Sequence, residues 1–502
     1  MNTGKNLINS WLQGRASQDG DSIKLADRIS GQGRKKILKA YRWISTKAIH
    51  SPHADIQFGN LIPIGKTGSI KLSKGESYSS FILLPLLTLV TSKRLLMVGA
   101  PGRGKTSIAT IMALLAGESL DEVKRSIQHG HPQLTQADLL GSPLPSNLVN
   151  ASSTREVKVH WRSWLSKRVK IIDEYNRIPT KTQSSLLSLM SEGYAEMYEQ
   201  TVHCEESAWY FTANDDLGGG TFPVIQALKD RIDLVTRCTS FNSYFLEELT
   251  RRIEQAKNPE ELIPEDVIFS KDELDEVANE IRAVKIPSDV LKILSFFVSS
   301  LDFCRQASND LEHQNKDTLH LSGKRVSQVC NEDCPLDKSE NICSQVESGI
   351  SVRAYQNFIH FGKALAYFRG NSEVGLEELQ QLIPWVLFEK LQPNSQSGFF
   401  QRAENMIFVN DKAGWIRQLF EKAVSQFAAY RKNHSPVSDF LNKLSENPNP
   451  GISQTREYLA EIQRLMATLL DRNELNAATH SDLVLLKYVY SQFSNKLETQ
   501  GF

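Results

Sequence analysis

The stretch Leu95-Leu96-Met97-Val98-Gly99-Ala100-Pro101-Gly102-Arg103-Gly104-Lys105-Thr106-Ser107-Ile108 decides how the chain is read. Its apolar start reads as a buried strand, and Ile108 to Leu115 reads as a helix. Between them, residues 99–106 fit G-x-x-x-x-G-K-[ST], and strand, glycine loop, helix is the setting in which this pattern holds a nucleotide phosphate. The glycines let backbone N–H groups close around phosphate oxygens, and the helix N-terminus adds its positive end. Lys105 reaches the terminal phosphates and the Thr106 hydroxyl offers an oxygen to Mg²⁺. The expected cradle is therefore Gly99, Ala100, Pro101, Gly102, Arg103, Gly104, Lys105, Thr106 and Ser107, with ATP and Mg²⁺ as cofactors.

The next strand separates hydrolysis from simple binding. Val169-Lys170-Ile171-Ile172 runs into Asp173-Glu174, two carboxylates at a strand end. Asp173 suits Mg²⁺ through its water shell, and Glu174 suits the polarisation of an attacking water.

Around these two motifs the chain has 502 residues, enough for two or three domains. Hydrophobic residues make up 40%, enough for real cores. Lys+Arg and Asp+Glu are both 58, so no global basic field favours nucleic acid. The N-terminus lacks the apolar core of a signal peptide. The longest apolar run, Phe81 to Val90, is roughly half of a membrane span and is interrupted by Pro85 and Thr88. These features predict a cytoplasmic protein whose six cysteines are thiols or metal ligands rather than disulfides.

Four organisational segments are expected. Residues 1–55 form a polar extension with a short amphipathic helix near Ile37–Ile44 and a basic cluster, Arg34-Lys35-Lys36, read as a solvated face. Residues 56–245 alternate strand and helix patterns, which indicates a parallel α/β sheet. The strand candidates there are Leu95–Val98, Val169–Ile172, Trp209–Thr212 and Leu234–Thr236. Residues 246–395 read as helical, and so do 396–502, where Asn447-Pro448-Asn449-Pro450-Gly451 separates two helices.

The run Asp173-Glu174-Tyr175-Asn176-Arg177-Ile178-Pro179-Thr180-Lys181-Thr182-Gln183-Ser184-Ser185-Leu186-Leu187 closely resembles the D-E-x-N-R-x-P-x-x-x-Q-x-x-L-L signature of the MoxR group of AAA+ ATPases. The resemblance extends over about residues 60–395. It implies a five-stranded parallel P-loop sheet with helices on both faces, an α-helical lid, a C-terminal helical region outside the match, and a homo-hexameric ring. It also implies roles for three further residues. Trp209 to Asn214 looks like the sensor-1 strand, with Asn214 at its tip near phosphate or water. Lys229-Asp230-Arg231-Ile232 is similar to the family's L-D-R-F, in which the arginine reaches a neighbouring subunit's nucleotide; Lys229 and Ile232 depart from the pattern, and Arg237 is the second candidate. Gly349-Ile350-Ser351-Val352-Arg353-Ala354 resembles G-x-S-P-R-A with Val352 in place of proline, which makes Arg353 the sensor-2 arginine. Asn214-Asp215-Asp216, also readable as a turn, differs from the signature of GTP-using restriction motors.

Pro143 to Trp164 looks like an insertion typical of the same group. Trp161 and Trp164 are expected to pack it onto the sheet rather than to face a pore. Cys304, Cys330, Cys334 and Cys343 have the spacing C-x₂₅-C-x₃-C-x₈-C, with His313 or His320 as substitutes for the first. A small loop stapled by Zn²⁺ or an iron–sulfur cluster is one reading, and ordinary thiols are the other. The functional expectation is an ATP-hydrolysing chaperone that remodels a partner, implied by the resemblance to be a von Willebrand factor A-domain protein. The alternative is a motor subunit acting on nucleic acid, of restriction or defence type, against which the balanced charge stands.

Overall fold

The computed structural model describes residues 31–49, 51, 53–64, 70–144, 157–214, 221–238, 246–255, 258–330, 334, 336, 341–447, 450–471 and 476–500. Residues 1–30, the middle of the 143–164 insertion, the turn at Asp215–Asp216, much of the loop between Cys330 and Cys343, and Pro448–Asn449 lie outside them. Among the described residues no helix is long and apolar enough to cross a membrane.

The chain divides into two compact units, one holding Ile23–Ile286 together with Val352–Lys390, the other Pro287–Ser351 with the chain from Leu391 onward. At the centre of the first unit are five parallel strands: β1 (Arg94–Val98), β2 (Gln128–His129), β3 (Val169–Asp173), β4 (Ala208–Ala213) and β5 (Leu234–Arg237). Their order across the sheet is β5-β1-β4-β3-β2, with every pairing parallel. The four apolar strands are those expected from sequence. The fifth, β2, is two residues of polar character, so hydrophobic patterning gives it no signal.

Both faces of the sheet are covered, which is why its strands read as continuous apolar runs rather than alternating ones. On one face lies α1 (Ser80–Thr91), buried along almost its whole length. The apolar run Phe81–Val90 is thus a core helix. Pro85 sits inside it, and its carbonyl accepts a hydrogen bond from the buried Tyr210 hydroxyl at 2.8 Å. Asp55 closes the helix start, accepting from the Ser80 backbone N–H at 2.8 Å and hydroxyl at 2.6 Å. The phosphate-loop helix α2 (Lys105–Leu115) packs on β3 and β4. On the other face, Leu96, Ile172, Trp209, Phe211 and Val235 pack against Leu186, Leu189 and Met190 of α3 (Thr180–Glu192) and Leu228 of α4 (Gln226–Arg231). Trp164 joins this core at 2% exposure, stacks edge-on against Trp209, and donates its indole N–H to the Leu139 carbonyl at 2.7 Å. Packing is therefore what Trp164 does, as expected. A charged residue also lies within the buried strands: the Lys170 ammonium is satisfied by the Lys167 carbonyl at 2.6 Å and the Ser207 hydroxyl at 3.0 Å, and burial pulls its pKa down to about 8.

The first unit also holds α5 (Lys271–Ala283), α6 (Val352–Arg369) and α7 (Leu376–Leu387). The N-terminal helix Gln32–Trp43 forms as its periodicity predicts, with Ile37 and Ala40 buried. Its basic cluster is not simply solvated. Arg34 donates to the Phe368 and Arg369 carbonyls at 3.1 and 3.0 Å, and Lys36 to Glu273 at 2.8 Å. Arg34 thus closes the C-terminus of α6, where carbonyls lack helical partners. The second unit is helical, with Lys412–Glu446, Ile452–Asp471 and Ala477–Gln500 as its long elements around Val437, Phe440, Tyr458, Ile462 and Leu483.

Candidate functional site

Parallel β-strands end on one edge of the sheet, and ligands in such sheets bind beyond those carboxyl ends. Here that edge carries the tips of β1, β3 and β4. The loop after β1 passes through Gly99, Gly102 and Gly104, the last two at φ +71° and +79°, a conformation that a side chain would strain. A Cβ built on either would meet no atom within 4 Å, so these backbone positions are open to an incoming group. Arg103 completes the loop, and Ser107 lies in the first turn of α2.

The side chains expected at this edge are linked into one network. The buried Lys105 ammonium donates to the carbonyls of Gly99 at 2.6 Å and Ala100 at 2.9 Å, and to Asn214 Oδ1 at 2.9 Å. Asn214 Nδ2 donates in turn to Glu174 Oε1 at 2.7 Å. Thr106 donates its hydroxyl to Asp173 Oδ1 at 2.8 Å. The tips of β1, β3 and β4 thus bring Lys105, Thr106, Asp173, Glu174 and Asn214 together.

Three residues that the sequence reading passed over join them. Thr212, fully buried, donates to Asp173 Oδ1 at 2.6 Å and accepts from the Glu174 backbone N–H at 2.9 Å. His129 places Nδ1 3.3 Å from Asp173 Oδ2, on the two-residue strand β2. Arg177 pairs with Glu174 at 2.8 Å. Only Arg177 stood inside the quoted signature; Thr212 is the residue two before Asn214, and His129 carries no local signal at all. Gln183 of the signature is wholly buried and structural: it donates to the Ile178 carbonyl at 3.0 Å and accepts from the Ile225 backbone N–H at 3.1 Å.

Arg231 and Arg353 form a different cluster. Arg231 ends α4, donates to the Ala227 carbonyl at 3.2 Å, and has its pKa lowered by burial and then by the neighbouring Arg353. Arg353 pairs with Asp230 at 2.6 Å, and Lys390 lies 3.9 Å from the same carboxylate. Arg353 is therefore bonded to the residue before Arg231 rather than to the Lys105–Glu174 network. Arg237 lies over the Phe388 ring, 5.6 Å from its centre.

Of the two cysteine readings, the metal site gains no support. Among the described residues no group of three or more His, Cys, Asp or Glu is placed to hold a metal ion. Among the described residues Cys304, Cys334 and Cys343 are free thiols. Burial pushes the Cys343 thiol up to about 12 and raises Cys304 as well. The charged group beside both is Lys316, a fully buried ammonium that donates to the Val346 carbonyl at 2.7 Å.

Comparison with known proteins fits this geometry. Residues 94–234 match the model of the ATPase family associated with various cellular activities (AAA), and residues 338–405 match the AAA lid domain. A curated relative, the uncharacterized protein YeaC of Bacillus subtilis (strain 168), is 26% identical over 203 residues, 39% of this chain and 59% of that protein. The chain thus spans less than two thirds of that relative's length. A crystal structure of a candidate ATPase from Cytophaga hutchinsonii is 19% identical, with 75% of this chain and 93% of that one covered and a TM-score of 0.49. Residues 94–234 are thus similar to AAA ATPase domains and residues 338–405 to AAA lid domains.

Proposed function

We propose that this AAA domain hydrolyses ATP at the edge of the sheet and uses the cycle to remodel a partner protein, as a MoxR-type chaperone. The observation that carries the hydrolytic reading is the continuous network from Lys105 through Asn214 to Glu174, beside the Thr106–Asp173 pair. The donor set fits Mg²⁺: a hydroxyl and a carboxylate, both hard oxygens, converge there, and the open glycine backbone leaves room for phosphate. Bound there through the nucleotide, Mg²⁺ would neutralise charge on the transferring phosphoryl group.

The chain's own groups do the rest. Backbone N–H groups of Gly99–Gly104 and the start of α2 bind the phosphates, and Lys105 turns from carbonyls to phosphate oxygens. Asn214 orients the water, and Glu174 draws its proton as the water oxygen bonds to the terminal phosphorus. The bond to the bridging oxygen then breaks, leaving ADP and phosphate. Arg231 and Arg353, side by side and bonded away from the chain's own loop, would serve the nucleotide of an adjoining copy in a ring. An arginine so placed spreads transition-state charge and ties turnover to assembly. The partner fitted best by the MoxR resemblance is a von Willebrand factor A-domain protein.

Glu174→Gln tests the reading. The variant is expected to retain ATP and to release no phosphate above background; release at the wild-type rate would refute Glu174 as the base. Proteins retained by that trapped form identify the partner.

A further inference from the structure

Arg177 lies in the D-E-x-N-R run and has no task in the mechanism so far. Its target is unusually well fixed. Glu174 is a non-glycine residue at φ +53°, a conformation that persists only where surroundings impose it. Its backbone N–H is bonded to Thr212, and its carbonyl accepts from the Arg177 backbone N–H at 2.9 Å. Gly130 packs against the same carbonyl so closely that a Cβ there would fall 2.2 Å from the oxygen. The main chain of the base is therefore held on three sides, and only its side chain is left to be aimed.

Two prongs hold that carboxylate. Asn214 Nδ2 donates to Oε1 at 2.7 Å, and Arg177 Nη1 donates to Oε2 at 2.8 Å. The prongs are not equivalent. Asn214 also accepts from Lys105, and both of those groups face the open phosphate loop, so a triphosphate competes for them. Arg177 is half exposed, stands on the short turn Tyr175–Arg177, and makes its one side-chain hydrogen bond to Glu174. The buried Tyr175 ring, edge-on to Phe211, anchors that turn to the core.

We infer that Arg177 is the positioning residue of the catalytic base: its guanidinium keeps Oε2 in place, so that Oε1 is presented to water when Asn214 turns to the phosphate. This rests on Glu174 being the base. A misaimed base costs rate without costing nucleotide affinity, because the phosphates are held elsewhere.

Arg177→Ala, Arg177→Lys, Glu174→Gln and the double variant Glu174→Gln/Arg177→Ala test it in the full chain, by steady-state phosphate release and by titration with a fluorescent ATP analogue. Arg177→Ala is expected to lower kcat by about 10–100-fold with analogue affinity within about twofold of wild type. Arg177→Lys should recover part of the rate, since an ammonium restores the charge but not the planar donor. The double variant should bind the analogue as tightly as Glu174→Gln, because Arg177 acts only through that carboxylate. An unchanged kcat in Arg177→Ala, a loss confined to analogue affinity, or a double variant that binds the analogue more weakly than Glu174→Gln would each overturn the inference. An active Glu174→Gln would overturn the base assignment and this role with it; an inactive Glu174→Gln beside a fully active Arg177→Ala would overturn the role of Arg177 alone.

Discussion

Thr212→Val replaces a hydroxyl by a methyl of nearly the same size at a fully buried position. Two hydrogen bonds disappear together. Asp173 loses a charge-assisted donor at 2.6 Å, and the Glu174 backbone N–H loses its acceptor at 2.9 Å. A hydrogen bond to a charged group is worth about 1.5–3 kcal/mol, and a buried N–H left unpaired costs about 1–3 kcal/mol. Thr106 still donates to Asp173, and water from the loop side can reach part of that carboxylate, so the lower halves of both ranges apply. The expected loss is about 2–4 kcal/mol, which for a unit of this size lowers Tm by roughly 3–6 °C. Because Asp173 and the strained Glu174 share this anchor, kcat should fall as well, by about 10–100-fold. Thermal unfolding by circular dichroism and phosphate release measure the two effects, and Thr212→Ser, which keeps the hydroxyl, should restore most of both. A Thr212→Val protein with wild-type Tm and wild-type turnover would refute the idea that one hydroxyl fixes both carboxylates.

Two other perturbations probe the scaffold. Trp164→Ala removes the edge-on Trp209 contact and leaves the Leu139 carbonyl without its indole donor, so a loss of about 3–5 kcal/mol is expected in chemical denaturation; a loss below about 1 kcal/mol would place this ring outside the core's energetics. In the second unit, burial lowers the Lys316 pKa from its ordinary 10.5 to about 8, so between those values the unfolded chain binds more protons than the folded one and stability rises with pH. Cys343, raised by burial from 9.0 to about 12, acts oppositely above pH 9, which leaves pH 8–9 as the window where Lys316 acts without it. Across that window the wild type should gain about 1 kcal/mol relative to Lys316→Met, by urea denaturation at each pH, and parallel curves would show that Lys316 stays charged in the fold throughout, which would refute the lowered pKa.

The order in which residues became legible follows the range of the forces involved. The phosphate loop is a local device: glycines, a lysine and a hydroxyl must follow one another within eight residues for the backbone to turn around phosphate, so the sequence carries it whole. The four apolar strands are equally readable, because a strand buried on both faces must be apolar throughout. β2 escapes this logic: it is an edge of two residues, held by register with β3 rather than by its own composition. His129 escapes with it, since its place beside Asp173 exists only once β2 pairs with β3.

The sequence alone determined that this chain has a phosphate-binding turn between a strand and a helix, and that an Asp-Glu pair ends a second strand. Both are relations between near neighbours, set by backbone geometry and side-chain type. Only the tertiary structure decided what those carboxylates touch. Thr212 reaches Asp173 and the Glu174 backbone N–H, and Asn214 ties Glu174 to Lys105, because strands distant in sequence end side by side. The four cysteines went the other way: their spacing allowed a metal, but among the described residues packing assembles no metal-ligand group and sets an ammonium, that of Lys316, beside Cys304 and Cys343. Spacing along a chain fixes which groups can meet; packing fixes which do, and in which charge state they meet.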